Sequence, residues 1–226
     1  MTLLRIAAAL LLASAAAAQQ PGNLQATLHA LDESSAKFTS AQASFHKDLY
    51  TAAAQDHDLE EGITYAIRNK SGASEVGIKI TGQGARTVVY KDGTALDYTP
   101  PPANCYNSYS AAKSKGTIES LLALSFGASG KELEANWTVT DLGSDTITTD
   151  GKPVKVEKLD LVPKDQGLRN NITKVALWTD LATAISLKQI VYSPTNDTQT
   201  ATYSNIRLNK VVDKAAFKIE GKPCGK

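Results

Sequence analysis

Apolar and polar residues alternate with a period of two along much of this chain. From Ala41 to Tyr50, Ala43, Phe45 and Leu49 fall on one side and His46 and Asp48 on the other. Such alternation places successive side chains on opposite faces of a strand. Strands are predicted over Leu59–Arg68, Ser74–Ile80, Arg86–Lys91 and Thr94–Tyr98. Later ones cover Trp137–Asp141, Ser144–Thr149, Val154–Val162, Ile172–Asp180, Ala184–Ser193 and Thr198–Asn209. Three stretches follow a helical spacing instead. Gly22 to Thr39 places Leu24, Leu28, Leu31 and Phe38 on one side, Thr117–Phe126 is apolar over much of its circumference, and Lys131–Asn136 adds a turn. A last short element is expected at Ala215–Ile219.

Between strands the chain turns sharply. Asp92-Gly93 is a two-residue hairpin signal, because glycine accepts the positive φ that a twisted turn demands. Asp150-Gly151, Pro163 and Ser193-Pro194 punctuate the later strands. Short connections imply antiparallel neighbours. The predicted fold class is α+β, mainly β: a long antiparallel sheet with a helical insertion. A sheet of that length curls, and its inner face must be filled.

Charge and targeting signals narrow the function. Residues 1–18 read as a signal peptide, with Arg5 ahead of the apolar run Ile6 to Leu12 and an A-x-A site at Ala16 to Ala18. Residues 19–226 are expected to form one exported domain. Without the leader, 24 basic against 23 acidic residues become 23 against 23, since one Arg and no acid are lost. Such neutrality argues against nucleic acid, whose binding rests on phosphate neutralisation. Cys105 and Cys224 are the only cysteines. In an oxidising compartment they are expected to pair, two free thiols being the alternative, and pairing would be worth roughly 4–5 kcal/mol in the chain-entropy model.

Catalytic patterns are missing. Asp56-His57-Asp58 lies in a polar turn with no second histidine at ligand spacing, and there is no G-x-S-x-G, HExxH or P-loop. Glu60-Glu61 and Asp141 with Asp145 read as solvated strand edges rather than a hydrolytic pair. Four glycosylation sequons, at Asn69, Asn136, Asn171 and Asn196, are what an Asn- and Thr-rich chain yields by chance. No catalytic residue, metal or cofactor is expected; binding is the better class.

Several segments, in order, resemble the LolA family of periplasmic outer-membrane lipoprotein carriers. They are Ala43-Ser44-Phe45 after the first helix, Gly62 to Arg68, Val88 to Leu96 followed by Pro100-Pro101, Leu159 to Lys164, and Thr202 to Ile206 with Asp213 to Ile219. The resemblance implies an open, incomplete antiparallel β-barrel, covered by helices, with a hydrophobic cavity for the acyl chains of lipoproteins. It also implies a monomeric periplasmic carrier, served by an inner-membrane releasing complex and an outer-membrane acceptor. A lipid- or lipoprotein-binding envelope sensor of the same fold is the alternative; a secreted hydrolase is a more distant one. Cavity residues are expected among Leu28, Leu31, Leu121, Leu122, Leu124 and Phe126 of the helices. Phe45, Val89, Leu96 and Ile190 of the strands complete the set, although any of these could simply pack a filled core. Arg68 matches the arginine that latches the helical cover. Two registers remain open: Thr64, Ala66 and Arg68 face inward, or Ile63, Tyr65 and Ile67 do, in which case Arg68 is no latch.

Overall fold

The period-two stretches assemble into one twelve-stranded sheet in the computed structural model, which describes residues 22–69, 72–110 and 122–225. The strands are β1 Ser40–Thr51, β2 Asp56–Arg68, β3 Ser74–Thr81, β4 Arg86–Lys91, β5 Thr94–Thr99 and β6 Cys105–Ser110. Then come β7 Trp137–Thr149, β8 Lys152–Pro163, β9 Lys174–Asp180, β10 Ile185–Tyr192, β11 Thr198–Leu208 and β12 Lys222–Pro223. Their spatial order is β12-β6-β5-β4-β3-β2-β1-β11-β10-β9-β8-β7, so the last long strand closes beside the first and the sheet keeps two free edges. All pairings are antiparallel except the short β12–β6 pair. The sheet is curved and unclosed.

The hairpin turns follow their residues. Asp92 and Gly93 take φ values of 51° and 75°, and Lys91 pairs with Thr94 across them. Asp150 and Gly151 do the same between β7 and β8. Two predicted strands, Trp137–Asp141 and Ser144–Thr149, are one strand interrupted by a bulge.

Helix α1 is Leu24–Ser35, shorter than its apolar pattern. It starts where the Asn23 side chain accepts from the Ala26 amide. It stops because Asn209 captures the chain beyond it: its Oδ1 accepts from the Thr39 and Ser40 amides and its amide donates to the Lys37 carbonyl. Helix α2, Gly130–Asn136, begins at a reciprocal capping box between Ser129 and Glu132. Gly130 lies against the Leu28 carbonyl, 2.2 Å from where a Cβ would stand, so α2 crosses α1 backbone to backbone. A single turn, α3 Gln166–Arg169, follows β8.

Two apolar clusters form beneath these elements. One joins Leu28, Leu31, Leu124, Leu133 and Trp137 to Leu159, Leu161, Val175 and Leu177, closing α1 and α2 onto β7–β9. The other joins Phe38, Ala41, Ala43, Phe45, Ala66, Val76, Phe126 and Tyr203 around β1–β3 and β11.

After β11 the chain crosses the back of the sheet. Ser40 Oγ donates to the Lys210 carbonyl at its start. A 3₁₀ turn, Lys214–Phe217, then packs on β3: a Cβ at Gly77 would stand 2.5 Å from the Ala216 carbonyl and 3.6 Å from the Phe217 ring. The tail ends as β12 on β6, where a disulfide joins Cys105 to Cys224 across 119 residues of sequence.

Candidate functional site

Register decides which side chains face the helices. On β2, Thr64 and Ala66 are buried and Arg68 reaches α1, whereas Ile63, Tyr65 and Ile67 are only half-buried and lie on the other face. The inward face of this part of the sheet therefore carries small residues: Ala41 and Ala43 on β1, Thr64 and Ala66 on β2, and Ala201 on β11.

Small side chains on a curved sheet leave room. Between this face and the segment Leu122–Phe126 lies a cavity of about 210 Å³. Its apolar walls are Phe45, Val76, Ile78, Leu122, Phe126 and Val191, with Ala201 beside them. Its polar lining is Lys47, Thr64, Ser125, Gln189, Gln199 and Tyr203. A larger open groove of about 880 Å³ lies against the β7–β8 turn, but it includes His46, Glu61, Asp150 and Lys188. An apolar ligand is served by the smaller space.

Two sets of polar contacts hold the covering segment. Arg68 donates from Nη1 to the Ser35 carbonyl at 2.7 Å, and from Nη2 to the Gly127 carbonyl at 2.8 Å and to Ser35 Oγ at 3.2 Å. Ser35 Oγ itself donates to the Gly127 carbonyl at 2.7 Å. One guanidinium thus ties β2 to the end of α1 and to the turn after Phe126, while its Cζ lies 5.4 Å from the Phe38 ring centroid. Gly127 sits at φ 76° against that ring, 2.6 Å from where a Cβ would stand, so the turn requires glycine twice over. Deeper in, Gln189 donates to the Tyr203 hydroxyl at 2.6 Å and to Ser125 Oγ at 3.0 Å, and Ser125 Oγ and the Tyr203 hydroxyl lie 3.1 Å apart. Burial pushes the Tyr203 phenol above its ordinary value, so it stays neutral and serves as a hydrogen-bonding group.

The expected cavity residues divide. Phe45, Leu122 and Phe126 line the space. Leu28, Leu31 and Leu124 do not; they are 4%, 1% and 3% exposed within the filled cluster on β7–β9. Val89 and Leu96 pair with each other and, through Val89, with Gly77, so they lie on the back of the sheet under the tail. Ile190 alternates with the cavity residues Gln189 and Val191 and so faces away. Leu121 and the signal peptide lie outside the described residues. Lys47, Val76, Ile78, Ser125, Gln189, Val191, Gln199, Ala201 and Tyr203 were missed, and Thr64 entered only through the register that turns Arg68 inward. Most are small or polar, and only the parity with Arg68 along β2 pointed to their face. Asp56-His57-Asp58 forms no site: His57 pairs with Asp48 at 2.8 Å on an exposed hairpin. Among the described residues, no group of three His, Cys, Asp or Glu could hold a metal. No described helix is long and apolar enough to cross a membrane.

Comparison with known proteins adds the fold. No family model and no curated protein matches the sequence. Among solved structures, MucB matches with a TM-score of 0.54 at 13% identity, over 88% of this chain and 64% of MucB. MucB from the Pseudomonas aeruginosa MucA/MucB complex matches with a TM-score of 0.50 at 12% identity, over 87% and 61%. This chain thus spans under two thirds of the MucB length. The LolA superfamily protein NE2245 from Nitrosomonas europaea also matches, at 14% identity and a TM-score of 0.42, over 87% of this chain and 98% of that one. The chain thus shares the fold of MucB over the matched part.

Proposed function

We propose that this protein is an exported carrier that shields the acyl chains of lipoproteins between inner and outer membranes. The observation that carries the reading is the apolar cavity between the small-residue face of the sheet and the Leu122–Phe126 segment, with Arg68 fastening that segment. Each CH₂ kept from water is worth ~0.8 kcal/mol, so a C16 chain left exposed costs roughly 12 kcal/mol. Crossing an aqueous compartment therefore requires a shielded site. The space of about 210 Å³ is smaller than the roughly 300–1,000 Å³ of typical ligand sites, so a whole chain enters only as the Leu122–Phe126 segment moves outward. Arg68 is then a latch whose bonds favour the closed form, and a site that must open releases its cargo without a nucleotide.

Native mass spectrometry of the protein purified from periplasm tests this. Copurified acylated species are expected; a chain that is always empty and takes up no acylated peptide after delipidation would sink the reading.

The likeness to MucB, solved in complex with MucA, favours a second reading, an envelope sensor that binds lipid or lipoprotein. Transfer separates the two. A carrier moves acylated protein from donor to acceptor vesicles, whereas a sensor retains its ligand and engages a protein partner.

A further inference from the structure

The cavity has a direction. Along the inward face of β1, Ala41 and Ala43 are fully buried, Phe45 is 8% exposed, and the Lys47 side chain is 24% exposed. On β2, Ala66 and Thr64 are buried, and Glu60 stands at the same end as Lys47, its cross-strand partner. The inner end lies beneath Phe126 and carries only the neutral Ser125, Gln189 and Tyr203 side chains; towards the outer end stands Lys47, the one charged residue lining the cavity among the described residues.

Lys47 belongs to an uneven network. Glu60 Oε2 stands 2.5 Å from Lys47 Nζ as an ion pair without a hydrogen bond, and its Oε1 accepts from Arg86 at 2.9 Å, so two cations share one carboxylate. Those three groups sum to +1. The next acid outward on β2, Asp58, is solvent-exposed and screened. An ammonium held at the rim of an apolar space, with its carboxylate already shared, is suited to a second anion.

We propose that the occupant is an amphiphile with one acyl chain under Phe126 and an anionic group, carboxylate or phosphate, at Lys47. This rests on the reading of the cavity as an acyl-chain site and concerns the group that the chain carries. Glu60 keeps Arg86 as its partner while Lys47 turns to the ligand. The Gln199 side chain, also lining this space, offers a further donor.

The test uses delipidated full-length mature protein and three probes of one chain length: palmitate, 1-palmitoyl lysophosphatidate and uncharged 1-monopalmitoylglycerol. Binding is measured by calorimetry below the micelle-forming concentrations. Wild type should bind at least one anionic probe roughly tenfold more tightly than the neutral one, and the tighter of the two identifies carboxylate or phosphate. Lys47→Met should abolish the preference, bringing that probe to the level of monopalmitoylglycerol, while Lys47→Arg keeps it. Equal binding of all three by wild type, or an equal loss of all three in Lys47→Met, overturns the anionic group and leaves the acyl site standing. Binding of none overturns both. The wild-type comparison alone decides the matter if Lys47→Met fails to fold.

Discussion

One sheet carries two different interiors. Against β7–β9 the helices are met by Leu159, Leu161, Val175 and Leu177, and Leu28, Leu31 and Leu133 are buried among them. Against β1, β2 and β11 the facing residues are Ala41, Ala43, Thr64, Ala66 and Ala201, and a cavity remains. Both regions are apolar and both are covered. Side-chain length on the strands makes the difference: the same curvature gives a core where the strands offer leucine and a cavity where they offer alanine. The filled half anchors α1 on β7–β9.

Substitutions can break that contrast. The largest effect is expected from Leu31→Ala, which opens a void in the filled half; chemical denaturation should show a loss of about 2–5 kcal/mol. Arg68→Leu should cost about 2–3 kcal/mol, because charged hydrogen bonds to the Ser35 and Gly127 carbonyls are lost. Its distinctive sign is faster hydrogen exchange at the Phe126 and Gly127 amides, and unchanged exchange there would retire the latch. Thr64→Ile fills the cavity from its small-residue face. Stability should change by less than ~1.5 kcal/mol, while uptake of acylated peptide falls roughly tenfold or more. If uptake survives, the chain binds elsewhere.

The smallest effect sharpens the comparison at the α1 anchor. Thr27 Oγ1 donates to Asp141 at 2.7 Å, and Ser144 Oγ donates to the neighbouring Glu157 at 2.9 Å. Burial, and then the Asp141 charge, raise the Glu157 carboxyl above the ordinary value of 4.5. A raised folded-state value means that this group's contribution is complete below the ordinary value and is lost as pH rises through the folded one. Glu157→Gln should therefore gain stability over wild type towards neutral pH and show no such gain below the ordinary value. Denaturation at a series of pH values checks the crossing.

Alternation and turn chemistry made most of the fold readable: β1 to β5 and β7 to β11 sit where period two and Asp-Gly turns placed them. Strand β6 escaped because Cys105-Tyr106-Asn107-Ser108-Tyr109-Ser110 has no apolar side; its neighbours and the tail make it a strand. The site was only partly readable. Bulky apolar residues were the natural candidates, yet Leu28, Leu31 and Leu124 are bulky enough to fill space, while Thr64 and Ala201 matter because they do not. Val89 and Leu96 are apolar for the sake of the opposite face. The two registers left open on β2 are separated by one observation, the reach of Arg68 to α1, which no local pattern contained.

The tail behind the sheet has a mechanical consequence. It runs from the end of β11 over β3 to the disulfide at β6, and so crosses the outer surface of the strands that enclose the cavity. Its two ends are fixed, at Ser40 by a hydrogen bond and at β6 by the disulfide, so the strands between them cannot separate without moving the tail as well.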